Sequence, residues 1–262
     1  MSELNIKTFE EYLQEGKSPE ILFWVGCAGS FDDRAKKITK AFIKILNSAN
    51  ISFAVLGKDE SCTGDPAKRA GNEFLFQMQA MNNIEILNSF NVKKIVATCP
   101  HCFNTLKNEY PELGGNYEVV HHTQFINKLL EEGRFSIEGG LYKGKKITYH
   151  DPCFLGRANN EYNAPRKLIE KIDAELAELK RCKSKALCCG AGGAQMFKDA
   201  EQGNKEINIE RAEEIKDNPA KIVATGCPFC NTMLTDGTKS FENENKVEVL
   251  DIAELIVKAK DL

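Results

Sequence analysis

Cysteine is the residue type in this chain whose spacing indicates chemistry. In the second half, a single cysteine is followed at a distance by a Cys-Cys-Gly triplet and then by a Cys-Pro-Phe-Cys segment. The members of this second set are Cys153, Cys188, Cys189, Cys227 and Cys230. Thiolates are natural ligands of iron–sulfur clusters and of zinc, and a Cys-x-x-Cys segment offers two sulfurs to one centre. Tetrahedral zinc uses only four ligands, so the fifth cysteine favours an iron–sulfur cluster.

The first half carries a related set with one departure. Its members are Cys27, Cys62, Cys99 and Cys102. Ser61 stands where the first cysteine of a Cys-Cys pair is expected. Four thiolates satisfy an ordinary [4Fe-4S] cluster, and we favour that interpretation. A modified cluster, a role for Ser61 as an oxygen ligand, and a cluster-free redox or structural remnant stay open.

Other residues near the second set are candidates for contact with the cofactor. Gly190, Gly192 and Gly193 allow the backbone to approach a bulky inorganic core and to offer amides to sulfide. His150, directly before Asp-Pro-Cys, is predicted to lie beside the ligands. Cys182 belongs to neither set and is interpreted as an incidental thiol in a loop.

An internal repeat relates the two sets. Residues 93–106 read KKIVATCPHCFNTL and residues 220–234 read AKIVATGCPFCNTML. Equivalent cysteines lie at nearly constant separation, 126 residues for Cys27 and Cys153 and 128 for Cys99 and Cys227. Small drift of this kind is typical of a duplicated unit with altered loops.

Each copy alternates predicted strands and helices. We expect an α/β fold of two tandem pseudo-symmetric Rossmann-like units, with parallel sheets and helices on both faces. The predicted domains are residues 1–132 and 145–262, joined by a linker at 133–144. The predicted strands are residues 21–26, 52–56, 92–97, 117–121, 146–149, 176–179, 222–224 and 247–249. The predicted helices are residues 34–49, 70–90, 103–109, 123–132, 164–172, 204–215, 232–238 and 252–260. The cysteines then follow the carboxyl ends of strands, where ligands bind in such sheets.

Composition narrows the function classes. The 262 residues carry a net charge of −3 without a dense basic stripe, which argues against nucleic-acid binding. The N-terminus lacks the basic and apolar regions of a secretory signal, and no apolar run of about eighteen residues occurs. We therefore expect a cytoplasmic protein that does not insert into the membrane. The chain also lacks a dinucleotide fingerprint, so electrons are expected to come from another polypeptide.

Longer strings carry a family resemblance. Residues 188–190 and 227–230, with Cys153, resemble the cysteine-rich CCG domain of heterodisulfide reductase subunits B and D and of glycolate, lactate and glycerol-3-phosphate oxidation subunits. Residues 61–69, 99–110 and 149–153 are similar to the branch that works beside electron-transfer flavoproteins. The resemblance implies a non-cubane [4Fe-4S] cluster on the five-cysteine set and a possible second [4Fe-4S] cluster on the first set.

The resemblance also implies a function and partners. We expect an iron–sulfur electron-transfer subunit that receives electrons from a flavoprotein or ferredoxin-like subunit. It would pass them to an acceptor such as the quinone pool, through a membrane-bound, quinone-linked partner. A catalytic disulfide reductase that uses the non-cubane cluster, thiol–disulfide exchange at Cys-Pro-His-Cys, and a structural zinc protein are the alternatives.

Overall fold

The chain folds into two compact units. The first comprises Met1–Phe135 with Leu262, and the second comprises Ser136–Asp261. Residues 138–139 of the predicted linker lie outside the described part of the chain. The structure, a computed structural model, describes residues 4–137, 140–199, 202–241 and 246–262.

A five-stranded parallel sheet forms the centre of the first unit. Its strands are β1 (Lys7–Thr8), β2 (Ile21–Trp24), β3 (Phe53–Val55), β4 (Lys94–Ala97) and β5 (Glu118–His121). They lie in the order β1-β3-β2-β4-β5. All four residues of β2, Ile-Leu-Phe-Trp, are buried, as expected for a central strand covered on both faces. The helices are α1 (Phe9–Gln14), α2 (Gly26–Phe31), α3 (Ala35–Ser48), α4 (Asp65–Arg69), α5 (Glu73–Ser89), α6 (Pro100–Asn104) and α7 (His122–Glu131).

The second unit contains a four-stranded parallel sheet. Its strands are β6 (Lys146–Tyr149), β7 (Glu175–Leu176), β8 (Ile222–Thr225) and β9 (Glu248–Asp251). They lie in the order β7-β6-β8-β9, which matches the order β3-β2-β4-β5 of the first unit. The helices are α8 (Asn163–Lys171), α9 (Ile207–Lys216), α10 (Pro228–Gly237) and α11 (Ile252–Lys260). The predicted α/β class with two Rossmann-like parallel sheets is confirmed.

The helices after the central strands begin earlier than predicted. α6 and α10 begin at Pro100 and Pro228, not at residues 103 and 232. Proline is favoured in the first turn of a helix because its missing N–H would have no partner there. Cys99 and Cys227 are extended N-cap residues, so each Cys-Pro-x-Cys segment joins a strand to a helix.

The helix predicted at residues 70–90 is wrong at its N-terminal end. Gly71, at a φ of +84°, interrupts it after α4, and the side chain of Asn72 then caps α5 by accepting from the Leu75 N–H at 3.0 Å. α5 begins at Glu73 and has 17 residues. Among the described residues, no helix is both long and apolar enough to cross a membrane.

A close contact between α9 and α10 supplies a test of this packing. A Cβ added at Gly237 would lie 2.7 Å from the Asn208 carbonyl oxygen and 3.1 Å from the Ala212 Cβ. We expect Gly237→Ala to lower the free energy of unfolding by about 1–3 kcal/mol, as overpacking does. Gly203→Ala is the control, because a Cβ there meets nothing within 4 Å. Urea unfolding of the two variants measures the difference, and equal midpoints would contradict the packing.

Candidate metal centres

The five cysteines of the second set converge at the carboxyl edge of the second sheet. Cys153 lies in the turn after β6, Cys188 and Cys189 lie in the loop before α9, and Cys227 and Cys230 open α10. Hydrogen-bonding contacts between thiols join Cys153 to Cys188, Cys188 to Cys189, Cys189 to Cys230, and Cys230 to Cys227. Cys189, Cys227 and Cys230 are buried, and Cys153 and Cys188 are half-buried. The structure therefore brings the whole predicted set together.

These thiols compete for protons. The hydrogen bond from Cys153 lowers the pKa of Cys188, and the same contact raises that of Cys153. The contact with Cys188 raises the pKa of Cys189 to about 12. Several thiolates cannot share so small a space unless a cation offsets their charge. The set thus fits a multiply charged centre bound through soft sulfur ligands.

The predicted glycines play unequal parts around this set. The Gly190 N–H donates to the Cys188 sulfur at 3.3 Å, and its φ of +93° explains why glycine occupies the position. Gly193 also has a positive φ, but it is exposed and a Cβ there would meet nothing within 4 Å. The Gly192 carbonyl accepts from the Gln195 N–H at 3.3 Å. Only Gly190 therefore contacts a candidate ligand through a hydrogen bond described in the structure.

His150 lies inside the second site. A ring nitrogen of His150 and the sulfurs of Cys189 and Cys230 all lie within 4.8 Å of one another. The side chain is fully buried, and this burial lowers the pKa of His150 to about 3. Its Nδ1 accepts a hydrogen bond from Arg211 Nε at 3.2 Å. A neutral imidazole beside these thiols agrees with the predicted position, while its role stays a prediction.

A buried ion-pair network, which was not predicted from the sequence, connects the loops that carry Cys153 and Cys188. The Arg166 guanidinium donates to both carboxylate oxygens of Asp151, at 2.7 and 2.9 Å. Asp151 also accepts from the Lys183 N–H at 2.7 Å, and Arg166 also pairs with Glu178. Only the adjacency of Asp151 to Pro152-Cys153 offered a signal, because nothing in the α8 sequence marks Arg166.

The four cysteines of the first set converge at the equivalent edge. Cys27 lies in the first turn of α2, Cys62 precedes α4, and Cys99 and Cys102 open α6. Thiol contacts join Cys27 to Cys62 and Cys99 to Cys102. The contact with Cys99 raises the pKa of Cys102, and negative charge on Cys27 and Cys62 raises it further. The hydrogen bond from Cys27 lowers the pKa of Cys62 to about 7, while that of Cys27 is raised. A Cβ added at Gly26 would lie 3.4 Å from the Cys102 sulfur, so glycine lets the strand end approach this thiol.

Ser61 is hydrogen-bonded next to the first set. Its hydroxyl donates to the Asn83 Oδ1 at 2.8 Å, and the Asn83 amide donates to the Cys62 carbonyl and to the Tyr110 hydroxyl. The hydroxyl proton is therefore directed at Asn83. This arrangement supports a set of four thiols with Ser61 outside it.

Two acidic residues near the first set were not predicted from the sequence. Glu60 accepts hydrogen bonds from the backbone N–H groups of Val25 and Gly26, and burial raises its pKa to about 7. Asp65 lies 2.9 Å from the His101 Nδ1. Both residues flank the Ser61-Cys62 segment, so they help to fix its path.

The donor chemistry fits iron–sulfur clusters better than disulfides. All ten cysteines, each within the described residues, are free thiols. Cys182 is half-buried and belongs to neither set. Each site also has a buried N–H donor, Trp24 Nε1 or His150 Nε2, with no partner in the described part of the chain. Soft thiols with spare N–H donors suit a sulfide-containing group.

Comparison with known families gives two matches to one domain model. The model of the CCG cysteine-rich domain matches residues 21–107 and 147–235. Each match contains one complete cysteine set. The repeat read from the sequence is therefore a pair of such domains.

Curated relatives match almost the whole chain. An EtfAB:quinone oxidoreductase of Syntrophomonas wolfei is 42% identical over 254 residues, covering 95% of this chain and 35% of the relative. A probable iron-sulfur-binding oxidoreductase FadF of Bacillus subtilis is 44% identical over 255 residues, covering 97% and 36%. One component of the dihydromethanophenazine:CoB–CoM heterodisulfide reductase of Methanosarcina barkeri is 32% identical over 254 residues, covering 93% and 59%. The chain thus spans about a third of the length of the first two relatives.

Likeness to solved structures is weak. A glutamate racemase of Bacillus anthracis aligns with a TM-score of 0.36 and 13% identity, over 91% of this chain and 77% of that one. No conclusion follows from a likeness of this size.

Because Asp151 and Arg166 form a buried ion pair, loss of the Asp151 carboxylate should destabilise the protein more than loss of an exposed one. Asp151→Ala removes one of the two carboxylates that pair with the buried Arg166 and leaves the Lys183 N–H without its acceptor, so we expect a loss of about 3–5 kcal/mol in the free energy of unfolding. Asp236→Ala removes the carboxylate of an exposed pair with Lys239 and should cost below about 1 kcal/mol. Anaerobic urea unfolding compares the two, and a similar cost for both would contradict the proposed anchoring.

Proposed function

Because this chain belongs to the CCG cysteine-rich domain family, we propose that it is an iron–sulfur electron-transfer unit of an oxidoreductase. The observation that carries the proposal is the convergence of five thiols in the second unit and four in the first. Iron–sulfur clusters bound there would accept and release single electrons. The first set suits a [4Fe-4S] cluster on four thiolates, and the second suits a [4Fe-4S] cluster of the non-cubane type.

The polypeptide contributes anchoring and charge control. Cys153, Cys188, Cys189, Cys227 and Cys230 would hold the second cluster, and Cys27, Cys62, Cys99 and Cys102 the first. The Gly190 amide donates to the Cys188 sulfur and so spreads negative charge away from that ligand. Burial of Cys189 and Cys230 keeps water away from one side of the site.

The partners follow from the relatives' names. One relative is named as acting between EtfAB and quinone, which supports a flavoprotein or ferredoxin-type donor and a quinone-linked acceptor for this chain. The chain covers 35% of that relative, so the donor and acceptor belong to the proposal. We propose a cytoplasmic location, with any membrane contact made through the partner.

Disulfide reduction is the second candidate, because one relative is named as part of a heterodisulfide reductase. Only the second set has five cysteines. Beside the first set, the Ser61 hydroxyl donates a hydrogen bond to Asn83. One five-cysteine site instead of two favours electron relay over disulfide cleavage by paired clusters.

Metal content tests cluster binding. Anaerobically purified protein should contain about eight irons and eight sulfides per chain, from two four-iron clusters. The double variants Cys188→Ser/Cys189→Ser and Cys99→Ser/Cys102→Ser should each keep about half. Cys182→Ser, which lies outside both sets, should keep all. One zinc per unit in place of iron would refute the proposal.

Electron relay and disulfide cleavage are separated by two anaerobic assays on the iron-loaded protein. Photoreduced electron-transfer flavoprotein should reduce it, which is read as bleaching of the visible absorbance. With dithionite as reductant, CoM–CoB heterodisulfide and glutathione disulfide should release no thiol above the rate without protein. Thiol release that disappears in Cys188→Ser/Cys189→Ser would establish the disulfide reductase instead.

A further inference from the structure

A buried N–H donor occupies the same place in each unit. Trp24 ends β2 and stands three residues before Cys27. His150 follows β6 directly and stands three residues before Cys153. The two side chains differ in type, yet the repeat puts both at the strand end that leads into the first cysteine of a set.

Both donors lack a partner in the described residues. Trp24 is 1% exposed and His150 is 0% exposed, and neither Trp24 Nε1 nor His150 Nε2 has a hydrogen-bond acceptor there. An unsatisfied buried polar group destabilises the folded state. The same unmet requirement at the same place in both units indicates an acceptor outside the described residues.

In the second unit, the hydrogen bond from Arg211 assigns the role of the histidine. Arginine carries donors only, so the Nδ1 that receives Arg211 Nε at 3.2 Å must be the acceptor. The proton of the neutral ring then lies on Nε2. Since a metal ligand needs a lone pair, Nε2 acts here as a donor and not as a ligand. One ring nitrogen of His150 lies within 4.8 Å of the sulfurs of Cys189 and Cys230, so the imidazole borders these thiols.

Arg211 is itself held in place. Its side chain is fully buried, and Nη1 donates to the Glu214 carboxylate and to the Arg181 carbonyl, each at 2.9 Å. The Glu214 carboxylate also accepts from Arg181 at 2.8 Å. The guanidinium therefore cannot turn away from His150 without breaking these bonds.

In the first unit, the indole borders the thiols. The Cβ position of Gly26 lies 3.4 Å from the Cys102 sulfur and 4.0 Å from Trp24 Cδ1, the carbon bonded to Nε1. The indole edge and the Cys102 thiol therefore flank the same small space. An indole nitrogen can only donate, so its buried N–H requires an acceptor.

We propose that Trp24 Nε1–H and His150 Nε2–H are matched hydrogen-bond donors to sulfur of the cluster in their own unit, with Arg211 as the positioning residue for His150. This inference rests on the proposed iron–sulfur function. A donor to a cluster sulfur stabilises the more negative, reduced state, so it raises the reduction potential. The tryptophan and the histidine would then set the two potentials separately.

Trp24 is tested in protein that carries only the first cluster, through the background Cys188→Ser/Cys189→Ser. Trp24 is the only tryptophan of the chain, so replacement of tryptophan by 3-benzothienylalanine exchanges one N–H for sulfur with little change of shape. We expect the reduction equilibrium to shift about tenfold towards the oxidised form, which equals ~59 mV for one electron. Trp24→Phe should shift it in the same direction, and Phe23→Leu, at a buried aromatic without N–H, should not.

His150 is tested in protein that carries only the second cluster, through Cys99→Ser/Cys102→Ser. His150→Phe should shift the reduction equilibrium of the second cluster towards the oxidised form by a factor similar to that expected for Trp24. Electron–nuclear double resonance in deuterated water should show one exchangeable proton coupling fewer. Arg211→Met should weaken that coupling, and Arg211→Lys, which keeps a donor for Nδ1, should restore part of it.

The outcomes separate this inference from the proposed function. Absence of iron from the unmodified protein overturns both. Iron content equal to that of the parent, with unchanged potential and unchanged proton coupling after 3-benzothienylalanine or His150→Phe, overturns the donor inference alone. A lowered potential with loss of the coupling supports it. If His150→Phe fails to retain iron, the benzothienyl protein and Arg211→Met still decide the question.

Discussion

Repulsion among crowded thiolates is the constraint on which the two sites depend. Each unit collects four or five sulfurs at the carboxyl edge of a parallel sheet, from a strand end, a loop and a helix N-terminus. In the protein alone, those thiols share protons, and their pKa values are pushed apart. Only a cationic centre lets all of them act as thiolates together. Hydrogen bonds from outside each set hold the loops that carry the cysteines.

The two units meet this constraint by different means. In the second, Asp151 and Arg166 tie the Cys153 turn to the segment before Cys188, and Arg211 orients His150. In the first, Glu60 receives the amides at the end of β2, and Asn83 binds Ser61. The two units thus share four cysteine positions, while Ser61 replaces the fifth in the first unit and the polar groups differ. The two sites therefore differ both in their number of thiols and in the polar groups around them.

Much of the fold and of the two cysteine sets was predictable, because cysteine spacing and alternating apolar runs are strong local signals. Both cysteine sets, the repeat and the parallel sheets follow from them, and the four-strand order is common to the two units. The failures have local causes. Because of Gly71 and Asn72, α5 begins later than predicted. Because of Pro100 and Pro228, α6 and α10 begin earlier than predicted. Arg166, Arg211 and Asn83 could not be found, since a buried polar residue on a helix carries no periodic signal and its partner lies far away in sequence. The ligand roles of the cysteines stay predictions.

Each unit is proposed to hold its own iron–sulfur cluster on its own cysteine set. Anomalous diffraction at the iron edge, from crystals grown without oxygen, tests it most directly. We expect two compact iron peaks per chain. One is enclosed by Cys27, Cys62, Cys99 and Cys102, and the other by Cys153, Cys188, Cys189, Cys227 and Cys230. A single iron peak, or a signal that appears only at the zinc edge, would contradict it.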